Sequence, residues 1–440
     1  MTFLETLSPL QIGIAGCAAL LVLLATSMPV GFAMALVGMV GFGVLRDGVD
    51  PALSMSAGVL RSQFSSPSLT VIPLFVLMGQ VSFHSGISRR LFNAAYHWLG
   101  WLPGGLAMAT VGACTAFGAI CGSGPATSAT MAAVALPEMK RFKYSMELGC
   151  GTVAAGGSLG MLIPPSVVLI AYGVMTRQDI DRLFIAGIVP GLMIAGMFCV
   201  AILIQCLRRP ELGPAAAAST WKQRIFSLAG VLETLALFAL VMGGMFAGWF
   251  TPTQAAAIGA AGSLIIAALR RKLTVLMLRQ SLMETVRTSC MVLLIVAGAT
   301  MFGRFLALTQ IPQDLADWMG GLALPGFLVM GLIILFYLLA GCFVDALALM
   351  LLTVSIFEPV VARFGYDLVW FGVLIVVVTQ MGVISPPVGV CVYVVSGIER
   401  DVPLGTIFRG SLPFLLALIA ASAVLVAFPD IALWLPRLVR

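Results

Sequence analysis

The sequence predicts an all-α polytopic membrane protein with an inverted structural repeat, two re-entrant helical hairpins and two broken transmembrane helices. Three observations lead to this fold class. Of the 440 residues, 60% are hydrophobic and only 10% are charged, whereas a soluble domain is nearer half apolar and a quarter charged. Glycine and proline interrupt long apolar runs, and the interrupted pattern occurs twice.

The first interrupted segment covers residues 118–172. Gly122-Ser123-Gly124-Pro125 lies within one apolar run, and Pro164-Pro165 lies within the next. Such residues free backbone N–H and C=O groups that hydrocarbon cannot satisfy, so broken backbone at membrane depth persists only inside protein or along a water-filled cavity. We therefore interpret this segment as the wall of a pocket.

The same pattern returns at an offset of 222 residues (386 − 164), where Pro386-Pro387 follows Pro164-Pro165. Other pairs at this offset are Pro103-Gly104 with Pro325-Gly326, Pro137 with Pro359, Gly160 with Gly382, Arg141-Phe142 with Arg363-Phe364, and Tyr144 with Tyr366. Many identities at one ungapped offset indicate an internal duplication. Paired interrupted segments in the two halves point to the binding site of a transporter.

Apolar runs near the roughly 20 residues that a spanning helix needs predict the order of the elements. Crossings are expected at residues 9–28, 29–45, 69–83, 184–207, 225–248, 252–269, 289–308 and 411–428, hairpins at 103–137 and 325–359, and broken helices at 147–175 and 368–397. Residues 46–68 form a partly amphipathic connection. Residues 273–287 are expected to lie along the inner membrane surface.

Charge fixes the orientation of the first hairpin. Its mouth is flanked by Arg89, Arg90, Lys140, Arg141 and Lys143, and the excess of basic residues in cytoplasmic loops places this mouth in the cytoplasm. Five crossings separate the hairpins, and an odd number inverts the second copy relative to the first. The predicted units are N-terminal scaffold helices (1–98), a first transport core (99–207), scaffold or arm helices (208–320), a second core (321–428) and a C-terminal tail (429–440).

The hairpin tips are the first candidates for binding. Gly122, Ser123, Gly124, Pro125 and Thr127 lie at the first tip. Carbonyl and hydroxyl oxygens suit a small hard cation such as Na⁺, while the amides of a helix N-terminus suit a carboxylate. The alternative is a tight helix–helix contact through small residues; the duplication favours binding.

The breaks supply the second set of candidates, which the sequence places beside the tips. They are Gly157, Gly160, Pro164, Pro165 and Ser166 in the first half, and Thr379, Gly382, Ser385, Pro386, Pro387 and Gly389 in the second. The alternative is a proline kink without a ligand, but a double proline preceded by glycine, twice, favours an unwound segment.

Two charged residues lie within apolar runs. Asp345, followed by Ala346, is the counterpart of Ser123 and is a functional candidate because a carboxylate at membrane depth is costly. We expect it to ligate Na⁺ or to cap the next helix, and less readily to carry a proton.

Arg304 either binds an anionic substrate or, more in keeping with its place near a span end, reaches the interface. Tyr172, Tyr393, Gln80 and His84 are weaker candidates.

No enzyme chemistry is indicated. The sequence carries no Walker-type glycine loop, HExxH or GxSxG motif, so energy is expected from an ion gradient and no cofactor is expected beyond the coupling ion. Nine cysteines are scattered singly and only two histidines occur, which favours buried thiols over disulfides or metal ligands. The net charge of +6 lies in short loops and gives no reason to expect nucleic acid.

Five motifs strongly resemble the large membrane subunit of TRAP (tripartite ATP-independent periplasmic) transporters. They are GSGPATSAT, LPEMKRFKYS, AAGGSLGMLIPPSVVLIAYG, GCFVDALALMLLT and QMGVISPPVGVCVYVVSGI. The resemblance covers essentially the whole chain and implies a secondary, typically Na⁺-driven importer of organic acids in the bacterial inner membrane. It also implies a small four-helix membrane partner, expected as a separate chain, and a periplasmic substrate-binding protein.

The resemblance further implies an elevator-type fold of the ion-transporter superfamily, in which tips and breaks line the ion and substrate sites. Residues 355–359, Ser-Ile-Phe-Glu-Pro, depart from the family pattern, which more often has a second proline and no acid there. Two rivals stay open. A stand-alone ion-coupled dicarboxylate or citrate carrier would need no binding protein, and a channel would use the hairpins as a fixed pore.

Overall fold

The computed structural model describes residues 8–215, 220–229, 231–321 and 324–438, which fold almost entirely into helices. Within these ranges six helices are long and apolar enough to span a membrane, and a bent pair raises the number to seven. The six are Pro67–His84, Ile180–Arg208, Pro252–Leu269, Val275–Thr309, Ala346–Arg363 and Leu404–Ala427. The predicted all-α, polytopic class is confirmed.

The helices follow one another with short connections. In order they are α1 (Pro9–Ala25), α2 (Val30–Leu45), α3 (Val49–Phe64), α4 (Val71–His84), α5 (Ile87–Leu99), α6 (Gly105–Cys121), α7 (Gly124–Arg141), α8 (Met146–Ser158), α9 (Val167–Thr176), α10 (Ile180–Arg208), α11 (Trp221–Ala229), α12 (Leu232–Phe238), α13 (Gly244–Phe246), α14 (Pro252–Leu269), α15 (Val275–Thr309), α16 (Ile311–Gly321), α17 (Gly326–Gly341), α18 (Ala346–Arg363), α19 (Leu368–Ile384), α20 (Val390–Ile398), α21 (Leu404–Ala427) and α22 (Asp430–Leu438).

The first hairpin consists of α6 and α7, which pack against each other. Helix α6 ends because Gly122 adopts the left-handed conformation at φ 64°, which glycine adopts without steric cost. Ser123 is extended, and Pro125 sits in the first turn of α7, where its missing N–H costs nothing. The Gly-Ser-Gly-Pro sequence thus ends one helix and begins the next within a few residues.

The second hairpin consists of α17 and α18. Helix α17 ends at Gly341, and the Asp345 carboxylate begins α18 by accepting hydrogen bonds from the backbone N–H groups of Leu347 (3.1 Å) and Ala348 (3.5 Å). Both hairpins run further than predicted. Pro137 and Pro359 lie inside α7 and α18, which continue to Arg141 and Arg363, because membrane helices tolerate proline where neighbours satisfy the freed backbone groups.

Both broken helices occur where the prolines predict them. Helix α8 passes through a 3₁₀ turn (Leu159–Met161) and a non-helical segment before α9 begins, and α19 ends at Ile384 before α20 begins at Val390. Residues 148–173 and 369–385 are buried without interruption. The first interruption, residues 159–166, therefore lies entirely inside protein, as the cost of unsatisfied backbone groups in hydrocarbon requires.

The two breaks differ in their surroundings. Residues 162–166 are all buried, whereas Pro386, Pro387 and Val388 are exposed. The peptide bonds Pro164-Pro165 and Pro386-Pro387 are both cis, but only the first pair is enclosed by protein.

The prediction of a surface helix at 273–287 followed by a separate crossing at 289–308 was wrong. The structure has one continuous helix of 35 residues, α15, over this whole range. Residues 275–297 contain neither glycine nor proline, so nothing ends the helix where the charge pattern suggested a boundary.

The predicted crossing at 225–248 is also more complex than a single helix. It consists of α11 and a second helical stretch, Leu232–Phe246, which contains a π-helical turn at Ala239–Gly243. The order of segments between the two hairpins is nevertheless as predicted: a broken helix, α10, the α11–α13 segment, α14 and α15. If each of these five segments counts as one crossing, their number is odd, as the predicted inverted repeat requires.

Candidate functional site

The tips of the two hairpins meet at one cavity of about 320 Å³. The first tip contributes Gly122, Ser123, Gly124, Pro125 and Ala126, and the second contributes Asp345, Ala346 and Leu347. Ser123 and Asp345, which the duplication makes equivalent, therefore face the same space.

The remaining wall comes from both breaks and from two long helices. Met161, Val167 and Val168 belong to the first broken helix, and Val383 belongs to the second. Helix α4 adds Val76 and Gln80, and helix α15 adds Glu284, Thr288, Met291 and Val292. The weak sequence candidate Gln80 therefore lines the cavity.

Three helix N-termini converge on the cavity. The lining residues include the first turn of α7 (Gly124, Pro125), of α9 (Val167, Val168) and of α18 (Ala346, Leu347). The N-terminus of an α-helix carries a partial positive charge and unpaired N–H groups. The cavity is therefore favourable for an anionic ligand at its backbone surface.

The three N-termini are capped differently. Ser166 caps α9 by accepting a hydrogen bond from the Leu169 N–H at 3.3 Å, and the Asp345 carboxylate caps α18. Ser123 makes no capping hydrogen bond with its side chain, and Ser123 and Gly124 both line the cavity. The positive end of α7 thus remains available, whereas that of α18 is balanced by a carboxylate.

Hydrogen bonds from Thr127 and a close contact with the first break fix the backbone of the first tip. Thr127 is fully buried, and its hydroxyl and backbone N–H donate to the Ser123 carbonyl at 2.7 and 3.0 Å. A Cβ added to Gly122 would lie 2.5 Å from the Pro165 carbonyl oxygen. The tip therefore rests directly on the backbone of the first break.

The predicted glycines of the breaks lie behind the cavity and pack there. A Cβ on Gly157 would meet Ser128, one on Gly160 would lie 2.8 Å from the Thr127 hydroxyl, and one on Gly382 would meet the backbone of Gly341. These glycines therefore make close contacts with neighbouring helices, and their predicted part in ligand binding stays a prediction.

The other predicted residues of the breaks have local partners. The Ser166 hydroxyl donates to the Met161 carbonyl, the Thr379 hydroxyl donates to the Val376 carbonyl at 2.9 Å, and the Ser385 hydroxyl lies 3.1 Å from the Cys342 sulfur. Pro164 is buried, Pro386 and Pro387 are exposed, and Gly389 begins α20 at φ 54°. None of these residues lines the cavity.

Arg304 also lies outside the cavity lining. Its side chain is exposed on α15, more than two turns beyond the lining residue Val292. This position agrees with the interfacial alternative that the sequence offered for it.

Sequence reasoning missed the contribution of α15. Glu284, Thr288, Met291 and Val292 follow one another at spacings of four, three and one residues, which places them on one helical face. This spacing could have identified the cavity-facing side of α15 from the sequence. It was overlooked because residues 273–287 were assigned to the membrane surface.

The polar side chains that line the cavity carry oxygen donors, among them Ser123, Glu284 and Asp345. Among the described residues no group of three or more His, Cys, Asp or Glu side chains lies together to hold a metal ion. The second tip offers the Asp345 carboxylate, and the first offers the Ser123 hydroxyl. Oxygen donors of this kind fit an alkali or similar hard cation better than a transition metal.

Comparison with known proteins agrees with this architecture. A family profile described as "Tripartite ATP-independent periplasmic transporter, DctM component" matches residues 17–431. The chain is 35% identical to the C4-dicarboxylate TRAP transporter large permease protein DctM of Pseudomonas aeruginosa, over 84% of this chain and 86% of that protein. It is 33% identical to the sialic acid TRAP transporter large permease protein SiaM of Vibrio cholerae, over 94% and 96% of the two chains.

Among solved structures, the Alcanivorax borkumensis YdaH transporter is similar with a TM-score of 0.66 and 16% identity, over 87% of this chain and 89% of that one. At this identity the likeness concerns the fold. The sequence match instead extends along the motifs that form the two tips and the two breaks. The chain belongs to the DctM family, the large permease component of tripartite ATP-independent periplasmic transporters.

Proposed function

We propose that this chain is the large transmembrane subunit of a secondary, Na⁺-driven importer of organic carboxylates in the bacterial inner membrane. The observation that carries the proposal is the cavity shared by the two hairpin tips, with an uncapped helix N-terminus on one side and the Asp345 carboxylate on the other. Such a site has surfaces for an anion and for a cation. Relatives named for C4-dicarboxylate and sialic acid transport support a carboxylate substrate.

The substrate carboxylate binds at the start of α7 in this proposal. The amides at Gly124 and Ala126, the Ser123 hydroxyl and the helix dipole stabilise its negative charge. The apolar lining of Met161, Val167 and Val168 contacts the carbon skeleton.

The coupling Na⁺ binds between the second tip and the Ser123 side of the cavity. Asp345 supplies a full negative charge, and its second carboxylate oxygen is free of the capping bonds, both of which are made by Oδ2. A bound Na⁺ offsets the charge of an incoming carboxylate, so each ligand favours binding of the other. This mutual stabilisation is the physical basis of coupling.

Movement of the tips and broken helices against α4 and α15 completes the proposal. Those two helices form the opposite wall of the cavity, and α15 packs extensively on α2 and α4. An elevator movement of residues 99–207 and 321–428 against this scaffold would carry the cavity across the membrane. A small four-helix membrane subunit and a periplasmic substrate-binding protein are the proposed partners.

Reconstitution tests the proposal. The chain is placed in proteoliposomes with its small subunit, and uptake of a radiolabelled dicarboxylate or sialic acid is measured with the cognate binding protein outside. Uptake is expected only with an inward Na⁺ gradient and only with the binding protein. Uptake that survives the collapse of every ion gradient would reject coupling, and uptake without any binding protein would favour a stand-alone carrier.

A further inference from the structure

A second cavity, of about 400 Å³, lies apart from the shared cavity at the basic face of the protein. Arg90 and Asn93 of α5, Phe226 and Ser227 of α11, and Arg270 at the end of α14 line it. Neither the transport proposal nor the family motifs use these residues. The cavity is an independent site between an amphipathic helix and two neighbouring helices.

The charges in this cavity are unbalanced. Glu233 is the carboxylate that both arginines share, at 3.4 Å from Arg90 Nη1 and 3.0 Å from Arg270 Nε. Two guanidinium groups and one carboxylate leave a net positive charge. A monovalent anion would neutralise it.

Arg90 also has unused hydrogen-bond donors. Its Nε and Nη2 atoms are buried and have no hydrogen-bond partner among the described residues. A buried, charged donor without an acceptor is costly, and phosphate oxygens match the geometry of a guanidinium group. The arrangement therefore calls for an acceptor of the phosphate type.

The apolar surroundings of the cavity favour a membrane lipid over a soluble anion as the carrier of such a phosphate group. Trp98 and Trp221 stack edge to face with centroids 6.4 Å apart, and tryptophan is enriched at the membrane–water interface. Ile225 and Phe226 on α11 are 64% and 80% exposed. A soluble phosphate would gain nothing from these apolar side chains, whereas the acyl chains of a lipid would cover them.

We propose that the cavity between α5, α11 and the end of α14 binds the phosphate headgroup of an anionic membrane phospholipid, with Arg90 and Arg270 as its ligands. Basic pockets between helices on the cytoplasmic side are the usual form of such sites. The acyl chains lie along Ile225 and Phe226.

Native mass spectrometry of the delipidated full-length chain tests the proposal by titration with phosphatidylglycerol or phosphatidylcholine. Phosphatidylglycerol is expected to bind the unmodified chain at least about fivefold more tightly than phosphatidylcholine does. Arg90→Gln and Arg270→Gln are each expected to weaken the binding of phosphatidylglycerol about fivefold. Lys272→Gln is the matched control, since Lys272 is exposed next to Arg270 but does not line the cavity. It is expected to leave binding unchanged.

A variant that is expected to bind the lipid more tightly distinguishes a specific effect on binding from a general loss of folding. Glu233→Gln removes the carboxylate that competes for both arginines, so phosphatidylglycerol is expected to bind more tightly. Equal affinity for the two lipids, or equal weakening by Lys272→Gln, would overturn the proposal. Displacement of the lipid by glycerol phosphate or inorganic phosphate at equal concentration would reassign the site to a soluble anion and overturn it as well.

Discussion

Gly118 in the first hairpin and Gly160 in the first broken helix are in backbone contact: a Cβ added to Gly118 would lie 2.7 Å from the Gly160 Cα. The second half repeats the contact, since a Cβ added to Gly382 would lie 2.7 Å from the Gly341 Cα. Each hairpin is thus fastened to its own broken helix through glycine.

Alanine at either contact is expected to destabilise the protein. Gly118→Ala and Gly382→Ala force backbone apart in a buried region, at a cost of about 1–3 kcal/mol each. The thermal unfolding midpoint of the purified chain in detergent measures the effect. Gly196→Ala is the matched control, because no atom lies within 4 Å of a Cβ at that helical position. Equal midpoints for all three variants would contradict the packing argument.

Substitutions of Asp345 separate its capping role from its charge. Asparagine caps helices as well as aspartate does, so Asp345→Asn is expected to keep the unfolding midpoint and lose Na⁺-dependent uptake. Asp345→Ala is expected to lose both uptake and about 1 kcal/mol of stability. Uptake by the Asn variant with an unchanged Na⁺ requirement would show that the carboxylate does not bind the coupling ion.

Glu284 places a negative charge on the cavity wall formed by α15. Glu284→Gln removes a charge that repels an anionic substrate, and KM is expected to fall about threefold at low ionic strength. Glu284→Asp keeps the charge and serves as the control. A rise in the Na⁺ concentration needed for half-maximal uptake, with KM unchanged, would instead assign Glu284 to the cation.

Tyr172 ties the two halves of the chain together. Its hydroxyl donates to the Leu368 carbonyl at 2.6 Å, and its ring packs against Gly372. Tyr172→Phe leaves that carbonyl without this donor and is expected to cost about 1 kcal/mol. Tyr393→Phe, on an exposed ring of α20, is expected to leave the unfolding midpoint unchanged. A similar loss in both variants would refute the bridging role.

Elements that depend on local backbone chemistry were predictable from the sequence. Gly122 permits the left-handed backbone that ends α6, and each Pro-Pro pair fixes φ and removes N–H donors, so the first tip and both breaks lie where the sequence places them. The shared position of Ser123 and Asp345 followed from the duplication. The division into scaffold and core units stays a prediction.

Features that depend on tertiary packing were not predictable in the same way. Arg279 and Arg287 suggested a surface helix, yet both belong to the continuous α15, whose Glu284 and Thr288 reach the cavity. Gly157, Gly160 and Gly382 were assigned to binding because they accompany the prolines. The structure places them in close contacts outside the cavity lining, and their part in binding stays a prediction. A single sequence does not distinguish a glycine that approaches a ligand from one that approaches another helix.

The unequal covering of the two breaks has a consequence for the transport cycle. One copy of the duplicated Pro-Pro segment is enclosed and the other, Pro386 to Val388, is open to its surroundings. If the chain works by the elevator movement proposed above, the surroundings of the two segments are expected to exchange between its two end states. Hydrogen exchange at the residues that flank the two Pro-Pro pairs is then expected to change in opposite directions during turnover.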